Sequence, residues 1–184
     1  MPSRESELDP LRLDVEGFAA DGGELDGRWL LRDLPRLAES MAPDAPASGE
    51  EAVRWHAHGE QVSRAGDRET WLRVEADATA WLQCQRCLAP MAVALDVRSR
   101  IRFVHGEDAA EKLDASIEDD VLAMTRAMDL RVLVEDELLL AMPVVPLHEV
   151  CPEPLPVPEA EATEVDTPNP FAVLAALKRP DRTN

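Results

Sequence analysis

Three cysteines and one histidine give this chain of 184 residues its most specific chemistry. Cys84 and Cys87 form a Cys-x2-Cys pair, and His148 and Cys151 form a His-x2-Cys pair sixty residues further on. Three thiolates and one imidazole are a known ligand set of structural zinc sites, which makes structural zinc the candidate cofactor. Two alternatives remain open: reduced thiols in an ordinary turn with Cys151 unrelated to them, and a redox-active pair.

The residues around the Cys-x2-Cys pair predict that it lies at the tip of a long β-hairpin. Apolar side chains occupy nearly every second position in residues 72–84 and again in residues 91–103. This period of two is typical of half-buried strands, so we predict antiparallel strands over 71–84 and 91–104. Thioredoxin-like Cys-x2-Cys motifs instead open a helix after a strand, so this position between two strands disfavours redox catalysis.

The charged positions of the two strands predict how the hairpin is aligned. If Cys84 lies opposite Met91, the outward faces bring residues of opposite charge together. The predicted pairs are Asp77 with Arg98 and Glu75 with Arg100. We expect these pairs to occupy two of the arginines that would otherwise form a basic stripe for RNA.

Shorter patterns predict the elements before the hairpin. Residues 11–15 alternate and predict an edge strand, residues 27–31 predict a second strand, and residues 51–60 predict the strand that precedes the hairpin. Asp33 is a candidate N-cap for a short helix over 34–41. His56 and His58 share one face of their strand, and with no third ligand nearby in the sequence we interpret them as solvated side chains.

Two segments follow the hairpin before the chain becomes rich in proline. Residues 106–120 are rich in Asp and Glu and predict a solvated, flexible loop. Residues 129–142 carry leucines at helical spacing, which predicts a helix that ends before Pro143 and packs against the two long strands.

Together these elements predict an α+β fold: a twisted antiparallel sheet around a long hairpin, with a few short helices and a Pro-rich C-terminal extension. We predict a single α+β domain over residues 1–150 and a Pro-rich acidic linker over 151–168. A short C-terminal helix and basic tail are predicted over 169–184, because Asn169 and Pro170 suit the start of a helix.

The charge balance limits how the protein can meet nucleic acid. The chain has 19 Lys and Arg against 37 Asp and Glu, a formal net charge of −18 at pH 7. A polyanion repels RNA, so the charge favours a protein partner or a small local contact. Arg86 at the hairpin tip, with Lys178 and Arg179 near the C-terminus, is the candidate contact with RNA or a partner. The lack of a long apolar run or signal-peptide core predicts a cytoplasmic protein with reduced cysteines and no membrane contact.

Three blocks of sequence resemble the bacterial YceD family. They are Cys84-Gln85-Arg86-Cys87, the segment from Val134 to His148, and the segment from Pro168 to Lys178. The resemblance spans about residues 71–179, and the first seventy residues fit only in outline. It implies a cytoplasmic ribosome biogenesis factor that supports synthesis, processing or stability of 23S ribosomal RNA. The implied partners are ribosomal RNA or a large-subunit assembly protein.

The resemblance implies a protein that is not an enzyme, and the sequence itself contains no phosphate-binding glycine loop and no Gly-x-Ser-x-Gly elbow. The competing interpretations use the Cys-x2-Cys pair differently. In one, it serves a thiol-disulfide or metal-dependent enzyme. In the other, zinc staples a protein adaptor unrelated to ribosomes.

Overall fold

The computed structural model describes residues 8–46, 51–64 and 66–152, and a five-stranded sheet forms its centre. The strands lie side by side in chain order. Strands β1 to β4 are antiparallel to their neighbours, and β5 runs parallel to β4. Their bounds are β1 Glu24–Leu30, β2 Ala52–Arg64, β3 Asp67–Gln83, β4 Pro90–Val104 and β5 Asp120–Ala123.

Four short helices accompany the sheet in the described ranges, which confirms the predicted α+β fold. A single 3-10 turn over Leu31–Asp33 comes before the second of them. The helices are α1 Val15–Ala20, α2 Pro35–Glu39, α3 Glu107–Asp114 and α4 Leu130–Leu140. None of these helices is long and apolar enough to cross a membrane. Most of the predicted Pro-rich linker and all of the predicted C-terminal helix lie outside the described residues.

The core lies on one face of the sheet, as the alternating pattern predicts. Alternate side chains of β3 from Leu72 to Leu82 are buried, as are Leu95, Val97, Ile101 and Phe103 of β4. Helix α4 contributes Leu130, Val134 and Leu138, all fully buried. Each such side chain contributes roughly 1.5–3 kcal/mol through removal of apolar surface from water. The long helix predicted over 129–142 is therefore confirmed as a core element.

The hairpin itself is confirmed, but its predicted register is wrong by two residues. The backbone N–H of Cys84 donates to the carbonyl of Ala89 at 3.0 Å, so the connection is tighter than the sequence suggested. Glu75 therefore faces Arg98, and Arg100 faces Arg73 rather than an acid. A slip of two residues keeps every side chain on its predicted face, because successive side chains alternate.

The arginines on the outer face do pair with carboxylates, although with different ones than predicted. Nε of Arg54 lies 3.0 Å from Asp77, and NH2 of Arg100 lies 2.8 Å from Glu60. The first pair joins β2 to β3, and the second spans β3 to join β2 to β4, so neither links β3 to β4 as predicted. The sequence could not supply these partners because they depend on the alignment of a third strand.

Two segments differ from their predictions, and a helix begins in or directly after each of them. Residues 11–15 do not form an edge strand, since only Leu13 makes an isolated bridge, to Met128. Asp14 then accepts from the N–H of Gly17 at 3.2 Å and caps α1. A short carboxylate at this position satisfies an N–H that the first turn of a helix leaves free.

The predicted acidic loop over 106–120 is also wrong. Its first half forms α3, where Glu107 and Asp108 occupy the first turn and Lys112 the last. Charges placed this way favour a helix through its dipole. Strand β5 begins at Asp120 and pairs with residues 101–104, so β4, α3 and β5 form a parallel crossover.

Candidate metal centre

The turn between β3 and β4 places Cys84 and Cys87 at the tip of the hairpin. Its backbone closes through the N–H of Leu88, which donates to the carbonyl of Cys84 at 2.9 Å. Leu88 has a φ of 63°, a left-handed conformation shared by no other described residue except glycines. The turn is therefore held in a specific shape, and side chains from Cys84 to Cys87 project from a fixed backbone.

The segment after α4 brings the second pair of residues to this tip. Prolines end the helix and remove backbone donors, so the segment depends on contacts with the hairpin. The N–H of Gln85 donates to the carbonyl of Pro146 at 2.9 Å, and the N–H of His148 donates to Sγ of Cys84 at 3.4 Å. These bonds join residues that lie more than sixty positions apart in sequence.

The structure brings all four predicted ligands together. Sγ of the three cysteines and a ring nitrogen of His148 all lie within 4.8 Å of one another. Cys87 Sγ and His148 Nδ1 are 3.4 Å apart. In a tetrahedral zinc site with the usual bond lengths, ligand atoms are separated by about 3.5–3.8 Å. The arrangement fits such a site after small side-chain movements, and it is the only such group among the described residues.

Local hydrogen bonds favour the charged form of Cys84. The side chain is fully buried, and burial alone would raise the pKa of its thiol. Backbone N–H groups of His148, Cys87 and Arg86 donate to the sulfur and outweigh this effect, lowering the pKa of Cys84 to about 5. A thiolate is the form that binds a metal, so this sulfur is prepared as a ligand.

The other sulfurs affect Cys87 in the opposite direction. Burial raises the pKa of Cys87, and the neighbouring sulfurs of Cys151 and Cys84 raise it further. Negative charges on adjacent thiolates repel each other. A divalent cation among them would reverse this balance by stabilising all three thiolates at once.

Arg86 lies beside the candidate ligands and bonds to them directly. Its Nε donates to Sγ of Cys151 at 3.0 Å. Its NH2 group donates to the carbonyl of His148 at 2.6 Å and to that of Glu149 at 3.3 Å. The sequence predicts that Arg86 contacts RNA or a partner, and no pattern in it indicates these bonds. Contact of Arg86 with RNA stays a prediction, and Lys178 and Arg179 lie outside the described residues.

Apolar side chains are exposed around this site. Ten large hydrophobic residues are exposed in the described ranges, and five of them belong to the hairpin tip or the segment after α4 that reaches it. We call these five the tip surface: Leu88, Val144, Val145, Leu147 and Val150. Leu147 and Val150 also line a groove with Trp81, Pro90, Met91 and Ala92 of the hairpin. Exposed apolar groups concentrated in this way mark interaction sites more often than isolated ones do.

Two comparisons with known proteins give matches. The sequence profile of the family described as "Large ribosomal RNA subunit accumulation protein YceD" matches residues 72–178. A protein of Haemophilus influenzae with the same description is 38% identical over 178 residues, covering 92% of this chain and 96% of the relative. No solved structure gives a significant match. All four candidate ligands lie inside the region matched by the family profile.

Proposed function

This chain belongs to the YceD family of large ribosomal RNA subunit accumulation proteins, and we propose that it supports accumulation of the RNA of the large ribosomal subunit. The finer proposal is that it acts in the cytoplasm on the synthesis, processing or stability of 23S ribosomal RNA. The observation that supports this function is the match itself, which covers nearly the full length of both this chain and its relative.

We propose that the protein acts without catalysing a reaction, and that its four-residue cluster holds a structural zinc ion. Cys84, Cys87, His148 and Cys151 supply four protein ligands, which is the closed arrangement of structural sites. A catalytic zinc site keeps one position open for water or substrate. The proposed ion would fix the segment after α4 to the hairpin tip, and so fix the tip surface.

A thiol-disulfide enzyme is the second candidate, because the pKa of Cys84 of about 5 provides a thiolate at neutral pH. Burial opposes this function. The Cys84 side chain has no exposed surface, whereas the attacking sulfur of a redox enzyme must reach its substrate. We therefore favour the zinc site as the use of this thiolate.

The tip surface supports action through a protein partner. The residues that line its groove include one acid, Glu149, and no lysine or arginine, and Arg86 is already bonded to the same segment. An apolar groove whose one charged lining residue is acidic repels phosphate and suits a basic polypeptide segment that carries apolar anchors. We propose such a segment, on a large-subunit assembly protein, as the occupant of the groove between Leu147 and Trp81.

Depletion of the protein in its own cells tests the ribosomal function. We expect fewer large subunits in sucrose gradients and less mature 23S ribosomal RNA, restored by the wild-type gene. A Cys84→Ser, Cys87→Ser double variant should restore them poorly, whereas Ser63→Ala, at the opposite end of the sheet, should restore them fully. Normal subunits after depletion, together with altered cellular thiol status, would favour the redox enzyme instead.

Site-specific photocrosslinking tests the partner. A photoreactive side chain at Val150 should crosslink to a basic protein of the large-subunit precursor, and the product should resist ribonuclease. The same group at Ser63 is the control and should not give this product. Crosslinking of Val150 to RNA, to a second copy of this chain, or within the same chain would each contradict a protein partner at the groove.

A further inference from the structure

We propose that Arg86 is a positioning residue of the metal centre, which it orients and whose charge it balances; this inference rests on the zinc site proposed above. The position of Arg86 inside the Cys-x2-Cys pair gives its side chain a fixed starting point on the hairpin tip. From there the guanidinium reaches across to the segment that carries the other two ligands.

The guanidinium of Arg86 has the geometry of a positioning group. The guanidinium of Arg86 contacts three successive points of the second ligand pair: the carbonyls of His148 and Glu149 and the sulfur of Cys151. A planar fork with several donors can hold such points at once, whereas the ammonium of a lysine acts as a single flexible charge. The guanidinium of Arg86 therefore holds both His148 and Cys151 in place, while the backbone N–H of the same residue donates to the sulfur of Cys84.

The positive charge of Arg86 balances the net negative charge of the proposed zinc site. Three thiolates around a zinc ion leave one net negative charge in a partly buried site. The Nε–H of Arg86 donates to one of these sulfurs, so its positive charge lies directly against the excess negative charge. Groups that hydrogen-bond to metal ligands orient them and tune their charge, and their loss typically weakens metal binding 10–100-fold.

Arg86 is the only lysine or arginine in the two described segments that carry the ligands. The second ligand pair lies in a segment, residues 132–152, without lysine or arginine. Arg86 is moreover the only basic residue between Arg73 and Arg98 of the hairpin. Within these two segments the positioning function thus falls on one side chain.

The test compares zinc affinities of the untagged full chain by competition with a chromophoric chelator. Arg86→Ala should bind zinc about 10–100-fold more weakly than wild type. Arg86→Lys, which keeps the charge but not the fork, should fall between the two. Arg98→Ala removes an exposed arginine bonded to Asp96 on the outer face and should leave the affinity unchanged. Equal affinities of Arg86→Ala and wild type would overturn the inference.

A second measurement separates positioning from general damage to the fold. In metal-free protein, the backbone amides of residues 147–151 should exchange hydrogen with solvent faster in Arg86→Ala than in wild type, because this segment loses its bonds to the guanidinium. The amides of residues 72–82 in β3 should exchange at the wild-type rate, and Arg98→Ala should leave exchange at residues 147–151 unchanged. Unchanged exchange at residues 147–151 in Arg86→Ala, or an equal acceleration in residues 72–82, would overturn the positioning by Arg86. If wild-type protein binds no zinc at all, the proposed metal centre itself is overturned. This result differs from the one in which zinc binds but its affinity does not change when Arg86 is replaced.

Discussion

A buried thiol is ordinarily neutral, and Cys84 departs from this because of the backbone around it. The donors to its sulfur come from two places: the hairpin turn itself and the N–H of His148 in the segment after α4. The charged state of one ligand thus depends on the position of another. This dependence couples formation of the site to folding, which is also a property of structural metal sites.

That coupling predicts how Cys84→Ser affects stability. If zinc is bound, the variant should lose the ion and its thermal midpoint should fall by about 10 °C or more, because metal-binding energy contributes to folding. A chelator should lower the midpoint of wild type to the same level and leave the variant unchanged. Elemental analysis of untagged protein gives the zinc content directly. Less than about a tenth of an equivalent, with melting insensitive to chelator, would contradict the zinc site.

Glu135 is a second buried group with a defined task, since it caps a helix far away in sequence. The structure corrects the prediction that Asp33 caps α2, because the cap comes from this carboxylate on α4. Glu135 is 3% exposed and accepts from the backbone N–H groups of Arg36 at 2.7 Å and Leu37 at 3.1 Å. It also accepts from the guanidinium of Arg36. Sequence patterns identify local caps only, so this one could not be foreseen.

The cap predicts a large loss of stability on truncation of Glu135. Glu135→Ala leaves buried donors without an acceptor and should lower the free energy of unfolding by about 2–4 kcal/mol in urea titration. Glu135→Gln keeps one oxygen and should cost less. The matched control is Asp136→Asn, which also faces Arg36 but is 46% exposed and should cost less than about 1 kcal/mol. Equal effects of Glu135→Ala and Asp136→Asn would contradict the capping function.

At the scale of elements, periodicity in the sequence identified the long parts of the fold. The alternation in residues 71–104 and the leucine spacing in α4 each reflect burial of one face, which a single sequence records. The hairpin register, β5 and the helices α1 and α3 were missed. They depend on one backbone hydrogen bond at Cys84, on pairing of β5 with β4 across α3, on the Asp14 cap of α1, and on the charges at the two ends of α3. The candidate ligands were identified by spacing, but their approach depends on the hydrogen bonds that hold Pro146 and His148 to the hairpin.

Glu60 links three strands of the outer face and predicts a pH dependence. Burial alone would raise the pKa of Glu60, but the hydrogen bond from Arg100 and the charge of Arg73 lower it below the ordinary 4.5. A carboxylate whose folded pKa is depressed stabilises the fold above the unfolded pKa, and this contribution is lost as the pH falls through the folded pKa. Glu60→Gln should therefore have a lower free energy of unfolding than wild type at pH 7, and this difference should become smaller below about pH 4.5.

Denaturant titrations of wild type and Glu60→Gln at pH 7 and pH 3.5 measure that difference in the free energy of unfolding. Asp96→Asn is the control, because it removes one negative charge from an exposed pair on the same face. Its difference from wild type should be small at both pH values. If the difference between Glu60→Gln and wild type stays constant or increases at the lower pH, the proposed stabilisation of the Glu60 carboxylate by Arg100 and Arg73 is contradicted.

For the whole molecule, the charge and the apolar surface lead to the same kind of partner. The net charge of −18 opposes contact with RNA over a broad surface, and the outer-face arginines discussed above are bonded to carboxylates. The tip surface lies at the end of the hairpin where the proposed metal centre would fix the chain. A docking surface held rigidly before binding loses less entropy on association than a mobile one.

This arrangement predicts how the protein associates with large-subunit precursor particles. Leu147→Asp with Val150→Asp should weaken the association at least tenfold, because the groove would then present charge to apolar anchors. Ser63→Asp adds a charge at the opposite end of the sheet and should leave the association unchanged.

The RNA contact is tested by alanine at Arg86, Lys178 and Arg179. Each phosphate contact on a single strand contributes about −0.7 to the slope of the logarithm of the association constant against the logarithm of the salt concentration. An unchanged slope in the triple variant is the result expected for a protein partner at the groove. If the triple variant reduces the slope by about two units, and the groove variants do not change the association, then the contact is with RNA instead.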